Sequence, residues 1–264
     1  MAVAVIASAE KKADLAYYDE EFPRTGDLEY LQERCKLDLV LPQGKKGFPT
    51  MLWFHGGGLR NGKKHIPRNL WTKEIAVAAV NYRLSGKQAQ CPDYIYDAAA
   101  AAAWVKKHIA EYGGDPEKIY ISGHSAGGYL TMMLALDPKY LGAYKLKPED
   151  FAGYFPISGQ ATTHFRILAE RKEKGMTVPG VVLDEYAPIQ LARKKIPPLV
   201  LIVGDPAVEW PSRVEENLLL AARLKRVFKN TQVECYSLPT FNHVSVVAPG
   251  ILMINDFILK KPKK

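Results

Sequence analysis

Ile119-Tyr120-Ile121-Ser122-Gly123-His124-Ser125-Ala126-Gly127-Gly128-Tyr129-Leu130-Thr131-Met132 is the stretch on which the reading of this chain turns. An apolar, strand-like run meets Gly-x-Ser-x-Gly, and an apolar, helix-like run follows, which is the setting of a nucleophile elbow. The reason is steric. A serine on a tight strand-to-helix turn sits at strained backbone angles, and side chains larger than hydrogen on its neighbours would collide. Gly123 and Gly127 remove those side chains. The turn then lifts the Ser125 hydroxyl clear of the sheet and aims a helix N-terminus, with its free N–H groups, at the reacting centre. The plain alternative is a glycine-rich helix start without chemistry.

Upstream, Phe48-Pro49-Thr50-Met51-Leu52-Trp53-Phe54 reads as a buried strand that runs into His55-Gly56-Gly57-Gly58. Three glycines in a row cost conformational entropy, and a backbone that must approach a ligand with its amides outward accounts for them. The amides of Gly57 and Gly58, with that of Ala126, are the expected oxyanion hole. His55 is expected to be a structural hydrogen-bonding residue. Downstream, a serine hydroxyl needs a base oriented by a carboxylate. His243, after the last expected strand (Val233 to Leu238), is that base; His164 is a weak competitor, His124 is expected to point away from the hydroxyl, and His108 is expected to be a solvated residue at a helix end. The acid belongs at the tip of the strand ending at Gly204. The position three residues past that glycine is Ala207, flanked by Asp205 and Glu209. Asp205 is narrowly preferred, with Glu209 the alternative and Asp184 a remoter one.

Between these sites the chain alternates buried strands with helices. Cys35 to Leu41 alternates as an early half-exposed strand, Ile75 to Arg83 is a further strand, and the alanine-rich run from Asp97 to Ile109 is strongly helix-forming. Phe151 to Gly159 and Pro197 to Asp205 are strands, Pro211 to Phe228 a helix, and a last helix ends near Leu259. Connections this long imply parallel pairing. Residues 10–34 read as an N-terminal arm. Residues 160–195, with many charges, are expected to form a cap or substrate-wall insertion.

The chain has 264 residues, 47% hydrophobic and 24% charged, and is expected to form one domain, 1–264. Its formal charge of +8 is partly held in Lys260 to Lys264, and no zinc-finger spacing, basic helix or RNA-binding motif turns that charge into an expectation of nucleic acid binding. Three scattered cysteines, Cys35, Cys91 and Cys235, suggest neither a disulfide framework nor a metal site. No metal or cofactor is expected. No run approaches the ~20 apolar residues of a membrane span. Met1 to Ala9 ends in an Ala-x-Ala-like triplet but lacks a basic leader, so the expectation is a soluble protein, cytoplasmic, or secreted or periplasmic if that stretch is the remnant of a signal peptide.

His55-Gly56-Gly57-Gly58, Asn81-Tyr82-Arg83, Gly123 to Gly128, Gly204-Asp205 and Asn242-His243 together resemble the α/β-hydrolase superfamily, in particular the His-Gly-Gly-Gly esterases similar to hormone-sensitive lipase and the bacterial feruloyl and acetyl esterases. The resemblance covers about residues 35–259. It implies a mostly parallel central sheet of about eight strands with helices on both faces, a metal-free acyl-enzyme mechanism, and Ser125 attacking a carboxylic ester. The expected substrate is a small-molecule or carbohydrate ester with a short-chain or aromatic acyl group. An aryl formamidase or small amidase, and a weakened relative that only binds a ligand, are the alternatives. Ala207 is the departure from the pattern. The sequence leaves oligomeric state open.

Overall fold

A computed structural model of the chain describes residues 9–70 and 73–260. The Met1–Ser8 part of the leader-like stretch, Trp71, and Lys261 to Lys264 of the basic tail lie outside the described residues. The architecture is an eight-stranded sheet in the order β1-β2-β4-β3-β5-β6-β7-β8. Its strands are β1 Ala9–Ala16, β2 Lys36–Pro42, β3 Phe48–Phe54, β4 Ala76–Val80, β5 Gly114–His124, β6 Gly153–Ile157, β7 Leu199–Val203 and β8 Val233–Ser237. β1 pairs with β2, and β2 with β4, antiparallel. All pairings from β4 through β3, β5, β6 and β7 to β8 are parallel. This is the mostly parallel sheet of the α/β-hydrolase fold.

The sheet explains why the central strands read as continuous apolar runs: both faces are covered, so alternation has no solvent side. In β3, Leu52 and Phe54 join the core that holds α2 (Asp93–His108) and α3 (Ala126–Leu136). Met51 and Trp53 face the other way, into a core with Ile251 and Ile254 of α7 (Val247–Leu259). The alanine run of α2 is buried along its length. Small side chains there let the helix lie close to its neighbours. Short helices α1 (Leu28–Arg34) and α4 (Pro138–Gly142), with α5 (Phe165–Glu173) and α6 (Arg213–Ala222), complete the set.

The expected N-terminal arm contains a strand and a helix. β1 is an edge strand whose Glu10, Lys11 and Lys12 are exposed, so it carries no apolar period for sequence reading to detect. Lys11 pairs with Asp38 at 3.0 Å. α1 starts at Asp27, whose carboxylate accepts the Tyr30 N–H at 2.9 Å. The segment is fastened to the core through Arg83 and Asp97, both fully buried. Asp97 accepts bonds from Arg83 Nη2 (2.7 Å), the Arg83 backbone N–H (2.8 Å) and the Tyr18 hydroxyl (2.7 Å), while Arg83 Nη1 donates to the Thr25 carbonyl at 2.6 Å. The expected helix from Pro211 to Phe228 is α6 followed by a π-helical turn, Arg223–Val227. All three cysteines are free thiols. Among the described residues no helix is long and apolar enough to cross a membrane.

Candidate active site

The carboxyl ends of five adjacent parallel strands converge on one cleft, the general location of ligand sites in open α/β sheets. β5 delivers the serine. Ser125 has φ 55° and ψ −113°, a backbone conformation that L-residues rarely adopt. A Cβ on Gly127 would lie 2.1 Å from the Phe54 carbonyl oxygen, and one on Gly123 would lie 2.6 Å from the Gly127 carbonyl carbon. Both glycines are therefore required by close backbone approach. The Ser125 amide is held by the Ile157 carbonyl at 2.8 Å, which locks the turn to β6.

The loop after β8 brings His243 over the serine. Its Nε2 lies 2.9 Å from Ser125 Oγ. On the far side of the ring, Nδ1 lies 2.6 Å from Oε1 of Glu209. The sequence preference for Asp205 is corrected here. The Asp205 carboxylate accepts the amides of Ala207 at 2.9 Å and Thr240 at 2.6 Å, which turns it away into its own loop. Its carbonyl oxygen accepts from both Val208 (3.0 Å) and Glu209 (2.8 Å), forming one extra turn that carries the chain past Ala207 and swings Glu209 back under the strand end. Asp184 is remote from the ring, bonded to Thr163 Oγ1 and paired with Arg171.

Glu209 sits in a fitted cradle. Ser158 Oγ donates to Oε2 at 2.7 Å, the Gly204 amide to the same oxygen at 3.2 Å, and the Trp210 amide to Oε1 at 2.9 Å. Burial pushes the carboxyl pKa up, but the bonds from His243, Ser158 and Trp210 outweigh it and hold the group down at about 2. Gly204 has no room for a side chain: a Cβ would meet Phe241 O at 2.4 Å and Glu209 Oε2 at 2.9 Å. Ser158 escaped sequence reading. It is fully buried at φ 46°, its carbonyl accepts from Arg213 Nη1 at 2.9 Å, and its only sequence signal is its place at the carboxyl end of β6.

The glycine loop faces the serine from β3. Gly57 and Gly58 line the cleft with Ser125 and His243, and both have positive φ, 116° and 63°. The Gly57 carbonyl accepts the Arg60 (3.1 Å) and Asn61 (2.9 Å) amides, curling the loop so tightly that a Cβ at 57 would lie 2.1 Å from Asn61 O. Ala126 is the first residue of α3, where an N–H has no partner within its own helix. His55 is structural in its contacts: Nδ1 donates to Gly56 O at 2.6 Å, and the ring stacks on Tyr82 at 4.4 Å. Burial lowers its pKa to about 4. His124 Nε2 donates to the His243 carbonyl at 2.7 Å, and burial together with the neighbouring His243 lowers its pKa to about 4. His164 is buried at the start of α5, and His108 bonds Asp19 and Glu111 on α2's outer side.

The cleft has a volume of about 570 Å³. Phe165, Arg166 and Ala169 of α5 form one wall, so the 160–195 segment contributes directly to the cleft. Trp210 forms another, its indole stacked on the His243 ring at 4.0 Å and 13°. Among the described residues no group of three or more His, Cys, Asp or Glu side chains is placed to hold a metal ion.

Stretches of the chain, and its fold, are similar to those of known proteins. Esterase cest-33 of Caenorhabditis elegans is 33% identical over 144 residues, 49% of this chain and 24% of its own length. A probable carboxylic ester hydrolase, LipM, of Mycobacterium tuberculosis is 41% identical over 95 residues, 34% of this chain and 22% of its own. The chain thus spans about a quarter of the length of these curated relatives. Two solved structures share the fold over nearly the whole of both chains. A truncated carbohydrate esterase from gut microbiota superposes with a TM-score of 0.72 at 17% identity, covering 95% of each chain. A propionate-bound esterase of Thermogutta terrifontis does so with 0.66 at 20%, covering 98% of this chain and 97% of that one. The BD-FAE family model matches residues 37–197, a span that holds the glycine loop and the serine elbow while Glu209 and His243 lie beyond it. With more than half of its length so matched, the chain belongs to the BD-FAE family.

Proposed function

We propose that the protein is a serine carboxylesterase that hydrolyses a small ester, with a short-chain or aromatic acyl group, through an acyl-enzyme. The observation that carries this reading is the continuous chain Ser125 Oγ, His243 Nε2, His243 Nδ1, Glu209 Oε1, with separations of 2.9 and 2.6 Å. His243 takes the Ser125 proton on Nε2 as Oγ attacks the ester carbonyl. Glu209 accepts from Nδ1–H, fixes that tautomer and stabilises the imidazolium that forms. The negative oxygen of the tetrahedral intermediate faces the amides of Gly57, Gly58 and Ala126. His243 then protonates the departing alcohol. Water, deprotonated by the same imidazole, releases the acid and restores the serine.

Two exposed aromatic side chains in the cleft, Phe165 and Trp210, support an aromatic or other flat acyl group. The names of the relatives support ester hydrolysis, and the gut-microbiota neighbour supports a carbohydrate alcohol as one candidate. An aryl formamidase would use the same groups on a different carbonyl. Two experiments test the reading. A fluorophosphonate is expected to label the protein stoichiometrically and to leave Ser125→Ala unlabelled; a folded sample that resists labelling points instead to a ligand-binding protein. Comparing p-nitrophenyl acetate, methyl ferulate and N-formylkynurenine separates esterase from formamidase.

A further inference from the structure

We infer that Trp210 is a positioning residue for the proton transfer, its indole serving as a shield and an electron-rich face for the His243 imidazolium. The inference rests on the reading of His243 as the base. The indole lies parallel to the imidazole, 4.0 Å away and tilted by only 13°. A large aromatic side chain left 47% exposed is not there to fill the core. The same residue's backbone N–H donates to Oε1 of Glu209 at 2.9 Å, the oxygen that meets His243 Nδ1 at 2.6 Å. Trp210 therefore touches the acid through its main chain and the base through its ring.

The indole is itself braced. The guanidinium of Arg213, a residue only 4% exposed, lies 5.9 Å from the indole centroid and donates to the Ser158 carbonyl at 2.9 Å. Ser158 Oγ in turn donates to Glu209 Oε2 at 2.7 Å. The contacts close a circuit through Trp210, His243, Glu209, Ser158 and Arg213. Around the His243 ring stand Glu209 at Nδ1, Ser125 at Nε2, and the His124 ring 4.8 Å away at 46°. His124 is neutral near pH 7, because burial and His243 lower its pKa to about 4. Asp205, on the Glu209 loop, spends its carboxylate on backbone amides. The charged groups about the ring are the Glu209 carboxylate at Nδ1, Arg213 against the indole, and Arg60 and Arg166 in the lining of the same cleft.

An imidazolium is hydrated at its two N–H groups, and here both are occupied by protein. Covering the ring face therefore removes little hydration, while the negative face of the indole attracts the positive charge that appears as the proton leaves Ser125 Oγ. The attraction is stronger in the transition state than in the ground state, which is the condition for acceleration.

The test is a pH profile of kcat/KM on p-nitrophenyl acetate for wild type, Trp210→Leu and Trp210→Phe. Trp210→Leu is expected to lose about 10-fold at the plateau, the share of a partly desolvated cation–π contact. Deleting a group that favours the protonated ring moves the acid limb of the profile to lower pH. Trp210→Phe restores most of both effects. An indole against a protonated imidazole is quenched, so wild-type emission should fall with pH along the same limb, and Trp210→Phe should lack that phase. Trp104 stacks on His108 at 4.7 Å, and the difference between the two titrations removes its contribution. An unchanged Trp210→Leu profile, an acid limb that moves up, or emission from Trp210 that ignores pH overturns the inference. A wild type that turns over no ester overturns the esterase reading instead, and the emission titration still decides the stack.

Discussion

Replacing Glu209 by Gln and, separately, Asp205 by Asn tests the feature on which sequence and structure part. The Glu209 side chain is fully buried and its Oε1 lies 2.6 Å from His243 Nδ1. With charge centres roughly 4 Å apart and an effective dielectric of about 20, the attraction between carboxylate and imidazolium is about 4 kcal/mol. That alone is about 10³ in turnover. Glutamine also presents an amide that can donate to Nδ1 and favour the wrong tautomer, so the expected loss in kcat is about 10³ to 10⁴, the scale at which a triad loses its carboxylate. Asp205→Asn removes a charge whose partners are the Ala207 and Thr240 amides, and its kcat is expected to stay within about 3-fold of wild type. Steady-state hydrolysis of p-nitrophenyl acetate, with melting curves to confirm folding, measures both. A Glu209→Gln enzyme within about 10-fold of wild type, or an Asp205→Asn enzyme that falls as far, refutes the assignment of the acid.

Two further predictions concern stability. Asp97→Ala leaves the buried Arg83 guanidinium without its carboxylate and is expected to cost about 3–5 kcal/mol by urea unfolding, with kcat per folded molecule unchanged; a cost under about 1 kcal/mol would show that the pair does not hold the N-terminal segment. His55 and His124, both held neutral by burial with pKa near 4, bind protons in the unfolded chain from about pH 6.5, so the unfolded state carries more protons between 6.5 and 4 and stability falls as pH drops through that window. Each ring approaches a slope of about 1.4 kcal/mol per pH unit only below the unfolded pKa, so the two together remove roughly 3 kcal/mol between pH 6.5 and 5, a loss that urea midpoints at these pH values would reveal or refute.

What the sequence displayed and what it concealed follow from how each group is held. Gly123 and Gly127 were legible because backbone packs against them at distances no side chain survives, a constraint that writes one residue type at a fixed spacing. The central strands were legible because two covered faces demand apolar runs. β1 was not, because an exposed edge strand is free to be charged. The carboxylate that meets His243 was hidden for a different reason. Its position depends on the turn at Asp205, which accepts two amides through its carbonyl and two through its carboxylate. Both carboxylates were visible, and nothing local distinguishes the one that makes the turn from the one the turn delivers. The turn at Asp205 carries the chain past Ala207, the longer Glu209 side chain spans the gap to the ring, and the shorter acid braces the loop. The same displacement sets Trp210, next in the chain, against the imidazole face. Stack and ion pair are consequences of a single loop conformation.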